Sequence, residues 1–285
     1  MQENAAGSSS GSLYIVGTPI GNLEDITFRA VRVLQEVDAI AAEDTRHTGK
    51  LLKHFQIATP QIAYHDRNRS QRIPQLIDRL LTGESLALVT DAGMPGISDP
   101  GYELVKACAA AGIATVPIPG ASAGITALSA SGIASDRFFF EGFLPTKPKT
   151  RSSRLEVLQS QTCTLILYEA PHRLRQTLAD LAEKLGRDRP LTIARELTKL
   201  YEEFWRGTLE EAIAYYTQKA PQGEFTLVVA GATETLPTLS QTAIVEELKT
   251  LMNQGISRSQ ASRQLAHQTA HSRRELYEIA LAIEM

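Results

Sequence analysis

The sequence predicts an α/β protein with a largely parallel sheet first, a mixed sheet second and a small helical module last. Three observations carry this. Up to residue 131 short β-rich runs alternate with helical periods, the pattern of strands joined by crossover helices. From 136 to 231 several strand-like runs follow one another without a full helix between them, which favours mixed pairing. From 241 to 285 only short helical periods remain.

The elements follow in order. Strands are expected at 13–16 (LYIV), 38–42, 61–64, 85–89 (SLALV) and 114–118, with helices at 27–36, 45–54, 70–81, 100–111 and 121–131 between them. Helix 70–81 is expected to start on Ser70 as its cap and stop at Gly83. The second unit reads as strand 138–145, a polar link over KPKTRSSR (147–154), strand 164–171, helix 172–185, strands 190–196 and 202–209, a helix near 209–217 and strand 224–231. The expected domains are a flexible tail (1–12), an α/β domain (13–131), a second α/β domain (136–231) and a helical module (238–285), with a linker over 232–240. In the module, Ser257 and Ser272 are placed to cap two short helices, a pattern consistent with a helix-turn-helix.

With 285 residues, core burial is not limiting. A net charge of −3 gives no global attraction to RNA or an anionic membrane, so any nucleic-acid site is a local patch. Cys108 and Cys163 lie far apart in apolar settings, as buried thiols of a reducing cytoplasm do. The leader MQENAAGSSSGS has neither basic nor apolar region and is read as a tail, not a signal peptide. No apolar stretch reaches membrane-spanning length. No metal site is expected. His267 and His271 are four apart on a helical period but have no third ligand.

The strand ends carry the chemistry. In a parallel sheet ligands sit beyond the carboxyl ends of the strands. The first strand runs into GTPIGN (17–22), the fourth into TDAGMPGISDPG (90–101) and the fifth into PGASAG (119–124), so one crevice lined by backbone is expected. GTPIGN is neither a dinucleotide fingerprint nor a P-loop. In 90–101, Gly93, Gly96 and Gly101 permit close approach to a ligand. Asp91 ends the strand and is read as functional, whereas Asp99, before Pro100, is read as a helix cap. AEDTR (42–46) also ends a strand, and Glu43 and Asp44 either orient a substrate hydroxyl, bind an Arg, or complement a helix dipole. His172 in YEAPHR (168–173) is a candidate base or a structural histidine. Arg258, Arg263, Arg273 and Arg274 form either a solvated face or a phosphate-contacting patch.

Taken in register, LYIVGTPIGNLEDITFRA, AEDTR, LVTDAGMPGISDPG, PIPGASA, FEGFLP, LYEAPHR and GEFTLVV resemble the ribosomal RNA small-subunit methyltransferase I branch of the tetrapyrrole-methylase superfamily. The likeness is dense over 13–231 and looser in the tail. It implies two α/β domains with S-adenosyl-L-methionine in the cleft between them, as a homodimer. It also implies 2′-O-methylation of the ribose of cytidine-1402 in 16S rRNA, within the small ribosomal subunit. Cofactor contacts implied by position are Pro19, Asp91, Gly93, Met94, Pro95, Ser122, Ala123, Tyr168, Gly207, Thr208, Phe225 and Thr226. Asp44, Glu43, Arg46 and His172 are the catalytic candidates: a ribose hydroxyl is a weak acid and needs a base, and Arg46 can place a phosphate. RNA is expected to be held through Arg67, Arg69, Lys147, Lys149, Arg151 and the tail arginines. GTPIGN and DAGMP stand where tetrapyrrole enzymes carry GxGPG-like and GDP-like loops, which weakens a porphyrinoid substrate. The alternatives are a tetrapyrrole C-methyltransferase and a non-catalytic RNA-binding assembly factor.

Overall fold

A computed structural model describes residues 10–233 and 237–283. Residues 1–9 of the expected tail and 234–236 of the expected linker lie outside the described residues. By packing, the chain forms two units, Met1–Ala232 and Thr233–Met285.

The first half runs β1 (Ser12–Val16), α1 (Phe28–Glu36), β2 (Ala39–Ala42), α2 (Thr45–His54), β3 (Gln61–Ala63), α3 (Arg69–Leu81), β4 (Leu86–Val89), α4 (Tyr102–Ala110), β5 (Ala114–Ile118) and α5 (Ala123–Ser131). The sheet order is β3-β2-β4-β1-β5, and every neighbouring pair is parallel. β2 (AIAA) and β4 (LALV) are buried at every residue, so they read as unbroken apolar runs. Side chains alternate across the pleat. Leu86 and Leu88 join one core with Leu76, Leu80 and Leu104, while Ala87 and Val89 join the other with Leu34 and Ile118. Each fully buried leucine contributes roughly 1.5–3 kcal/mol, which pins the register and therefore the height at which each strand releases its loop.

Two expectations are corrected here. α3 begins at Arg69, with Asn68 and not Ser70 at the cap position. Asn68 closes the preceding turn: its Oδ1 accepts from the His65 N–H (2.9 Å) and its Nδ2 donates to the Ala63 carbonyl (3.0 Å). α5, which the sequence groups with the first domain, packs on the second sheet. Ala127 and Leu128 share a core with Ile166, Ala194 and Val228.

The second half runs β6 (Phe138–Phe143), α6 (Pro148–Gln159), β7 (Thr164–Glu169), α7 (Leu174–Leu185), β8 (Pro190–Arg195), β9 (Glu203–Thr208), α8 (Leu209–Gln218) and β10 (Phe225–Val229). Its sheet is β6-β7-β10-β8-β9, with β6 parallel to β7 and the other pairs antiparallel. The last strand in sequence, β10, sits at the centre and is buried throughout. KPKTRSSR is not a link but the start of α6. Pro148 stands where its missing N–H costs nothing, and the only buried residues of the helix are Leu155 and Leu158.

The C-terminal unit holds α9 (Gln241–Asn253), α10 (Arg258–Gln268) and α11 (Arg273–Ala282). Ser240, Ser257 and Ser272 each accept from a backbone N–H of the first turn, which supports each helix by about 1 kcal/mol. Ile244, Leu248, Met252, Leu265, Leu276 and Ile283 make its own core. His271 is held by Glu275 (3.0 Å) and the Leu239 carbonyl (3.0 Å).

Candidate active site

The topology turns loops distant in sequence into neighbours. β2, β4, β1 and β5 are adjacent and parallel, so AEDTR, TDAGMPGISDPG, GTPIGN and PGASAG leave the same edge in that order. They are stitched together. Thr18 and Gly93 exchange backbone hydrogen bonds (2.9 and 3.1 Å), and the Thr18 hydroxyl donates to the Thr90 carbonyl (3.1 Å). Gly17 and Gly120 meet backbone to backbone: a Cβ on Gly120 would lie 2.7 Å from the Gly17 Cα. No other residue type fits that crossing.

β2 and β4 are also laced through their acids. The Asp91 carboxylate accepts from the Asp44 N–H (3.2 Å), and the Asp91 N–H donates to Glu43 (3.4 Å). Asp44 caps α2, accepting from the Arg46 N–H (2.8 Å), and pairs with the Arg46 guanidinium at 2.7 Å. Those bonds from Arg46 hold the Asp44 carboxyl well below the usual carboxylate range.

Between these loops and the second sheet lies a cavity of about 440 Å³, within the size range of small-molecule sites. From the first half Ile20, Ala92–Met94, Ile97–Asp99, Ser122 and Ala123 line it; from the second, Phe143, Tyr168–Pro171, Ala194, Leu197 and Glu224–Thr226. The Tyr168 hydroxyl accepts the Gly124 N–H (3.0 Å), so the second sheet satisfies the first turn of α5, whose N-terminus opens on the cavity. Burial pushes the Tyr168 hydroxyl pKa upward. Glu169, buried, accepts from Ala170 N–H (2.9 Å) and Thr177 Oγ1 (2.5 Å), and faces Arg173 at 3.4 Å.

Asp99 is placed differently from the expected cap. The position before α4 is Gly101, with φ +149° and no side-chain cap. Ser98 adopts φ +63°, a left-handed conformation that costs a non-glycine residue energy, and Asp99 lines the cavity. Burial, then Glu43 and Asp91, push its carboxyl up to about 7. Burial likewise raises Glu43, opposed by the Asp91 N–H.

Of the expected cofactor contacts, Gly93, Met94, Ser122, Ala123, Tyr168, Phe225 and Thr226 line this cavity. Pro19, Asp91 and Pro95 belong to its loops without lining it. Gly207 and Thr208 do not reach it. They register against Leu191 and Pro190, the opposite end of β8 from the lining residue Ala194. Thr208 instead forms a capping box with Glu211, and the T-x-x-E spacing was the signal for that role. Nor does His172 line it. It faces a separate groove of about 680 Å³ between α6 and α7 with Arg151, Arg173 and Asp180. Ile97 and Ser98 sit inside TDAGMPGISDPG but were not named individually, and Leu197 is a lining residue outside every quoted motif.

Comparison with known proteins is in line with this geometry. A profile of the Tetrapyrrole (Corrin/Porphyrin) Methylases matches residues 12–213. Uroporphyrin-III-C-methyltransferase from Thermus thermophilus shares the fold at TM-score 0.56 and 22% identity, over 77% of this chain and 94% of that one. The same enzyme complexed with S-adenosyl homocysteine gives TM-score 0.55 at 18% identity, over 76% of this chain and 97% of that one. This is the class of S-adenosyl-L-methionine-dependent methyltransferases. Within it, a ribosomal RNA small subunit methyltransferase I of Synechocystis sp. is 60% identical over 96% of this chain and 99% of its own length. Its counterpart in Halalkalibacterium halodurans is 50% identical over 94% of each. The chain belongs to the ribosomal RNA small subunit methyltransferase I family of the tetrapyrrole methylases.

Proposed function

We propose that this enzyme transfers a methyl group from S-adenosyl-L-methionine to the ribose 2′ oxygen of cytidine-1402 in 16S rRNA. The observation that carries the substrate class is the 60% identity, over nearly the whole of both chains, to a ribosomal RNA small subunit methyltransferase I. When bound, the cofactor supplies an electrophilic methyl on a sulfonium. The cavity suits it: Met94, Ile97, Leu197 and Phe225 offer apolar walls, and the N-terminus of α5 favours a carboxylate.

The other candidates are given roles that their surroundings support. Glu43 and Asp91 hold two strand ends in register. Arg46, with its side chain 88% exposed, meets an RNA phosphate. Arg67, Lys147 and Lys149 form no ion pair among the described residues and extend that contact, whereas Arg69 and Arg151 are paired with acids; within the C-terminal unit Arg263 forms no ion pair among the described residues and Arg274 pairs with Glu278. His172 lies in the groove that the RNA backbone follows. The enzyme acts in the cytoplasm as a homodimer, whose formation would cover exposed apolar side chains such as Phe28 and Leu200.

The test uses small ribosomal subunits lacking the modification and tritiated S-adenosyl-L-methionine, with a tetrapyrrole precursor in parallel. A 2′-O-methyl group blocks attack on the neighbouring phosphate. Label in an alkali-resistant dinucleotide supports the proposal; label in the tetrapyrrole alone overturns it.

A further inference from the structure

We infer that Phe143, faced by Ile97, is a stacking platform for the base of the methylated nucleotide, an inference that rests on the proposed rRNA substrate and names the part of it that is held. Both residues line the cavity, one from each half. Each is 49% exposed, and among the described residues no other large apolar side chain of the lining is so open. Gly93, Ala194, Leu197, Phe225 and Thr226 line the cavity while buried and make its depth. Phe143 and Ile97 therefore mark its mouth. With the cofactor in the depth, the acceptor nucleotide meets the mouth.

A bulge puts Phe143 there. Side chains alternate along a strand, so in a regular β6 Phe140 and Phe143 would face opposite sides of the sheet. Instead β6 slips by one residue against β7: Phe140 registers with Ile166, Gly142 with Leu167 and Phe143 with Tyr168. The extra residue is Glu141, which Arg154 holds at 2.7 Å. The slip turns Phe143 onto the face of Ile166 and Tyr168, a use bulges have beside functional sites. Phe140 and Phe143 then both pack edge-to-face with Tyr168, at 5.2 and 5.7 Å between ring centres. The Tyr168 hydroxyl is itself tied to the Gly124 N–H, so the Phe143 ring is positioned before any substrate arrives. Gly142 adopts φ +68°, which glycine takes without strain. It also lets the other half come close: a Cβ there would lie 2.7 Å from the Ser98 Oγ. That contact brings Ile97, the neighbour of Ser98, to the same mouth. A strand that only filled a core would bury this ring. An aromatic face held open at a site mouth suits a nucleobase, because every base has a π-face to stack on it. A nucleotide whose ribose must reach a methyl group in a cleft first leaves its own stack, and the platform replaces part of the stacking it loses.

Phe143→Leu and Phe143→Tyr test this against the parent, on small subunits lacking the modification and on subunits rebuilt with an abasic ribose at the target position. Leucine keeps apolar bulk without the ring; tyrosine keeps the ring. On intact subunits Phe143→Leu should lower kcat/KM about 5- to 150-fold, the worth of one base–aromatic stack, and Phe143→Tyr should recover most of the loss. On abasic subunits the parent and Phe143→Leu should agree within twofold, because nothing is left to stack. Affinity for S-adenosyl homocysteine, by calorimetry, should stay within threefold of the parent. A Phe143→Leu variant within threefold of the parent on intact subunits overturns the inference, and so does a deficit that persists on abasic ones. Product affinity that falls in step with turnover also overturns it, since the ring would then hold the adenine of the cofactor. If Phe143→Leu fails to fold, the test moves to Ile97→Ala, whose deficit must likewise vanish on abasic subunits. The parent's own label keeps the two readings apart. No label in RNA defeats the rRNA reading and this inference together, whereas ribose label with an undiminished Phe143→Leu defeats the inference alone.

Discussion

Replacing Asp99 by Asn should make the protein more stable above neutral pH. Burial first, then the charges of Glu43 and Asp91, raise the carboxyl from 3.8 to about 7. At 1.36 kcal/mol per pH unit the charged form is disfavoured by about 4 kcal/mol. Asp99 keeps part of its surface in solvent, and screening there reduces the figure to about 1–2 kcal/mol. The sign follows from proton linkage. Between pH 4 and 7 the folded protein binds a proton that the unfolded chain has released, so this group withdraws stability as pH rises through that window. Asparagine has no such titration. Urea unfolding of both proteins at pH 5, 6, 7 and 8 should show a gain for the variant that grows up to about pH 7 and is constant above. A variant equally or less stable than the parent at pH 8 would refute the reasoning, because it would mean that the carboxylate is compensated by a partner.

Gly120→Ala puts a Cβ 2.7 Å from the Gly17 Cα; an overpacked backbone crossing of this kind costs about 1–3 kcal/mol, and calorimetry should show a large loss of affinity for S-adenosyl homocysteine as the loops separate. Thr208→Ala removes the α8 capping box and should lower stability by about 1 kcal/mol, with product affinity unchanged because the residue lies far from the cavity. S-adenosyl-L-methionine carries a sulfonium charge that S-adenosyl homocysteine lacks. With an acid near 7 in the cavity, the ratio of their affinities should rise severalfold, at most about tenfold, between pH 6 and 8, and a flat ratio in paired titrations would detach Asp99 from the cofactor.

Most of the fold was legible, for a physical reason. β2 and β4 are buried on both faces, so their sequences are unbroken apolar runs that no loop would carry. α6 was not legible because only Leu155 and Leu158 are buried on it, and the remaining positions look like a solvated link. α5 hid its allegiance. Its buried residues are Gly124, Ala127, Leu128 and Ser131, mostly small residues that mark a close-packed face but do not say which sheet it meets. Long-range pairing decides that, and single-sequence periodicity carries no trace of it.

The site was legible as loops and not as acids. Glycine and proline after a buried strand show where backbone crowds a ligand, so GTPIGN, TDAGMPGISDPG and PGASAG led to the cavity. A carboxylate's task depends instead on which N–H or cation reaches it first. Asp44 precedes a helix and is taken by Arg46; Asp99 precedes another and is left free. The two look alike in sequence. What separates them is the left-handed Ser98: α4 starts at Tyr102 with Gly101 at its cap position, and Asp99 lines the cavity instead. A serine forced into that conformation, beside a carboxylate given no partner, stores energy in a loop that a purely structural turn would have relaxed. The strain itself is therefore the best pointer to Asp99, and it becomes visible only once the backbone angles are known.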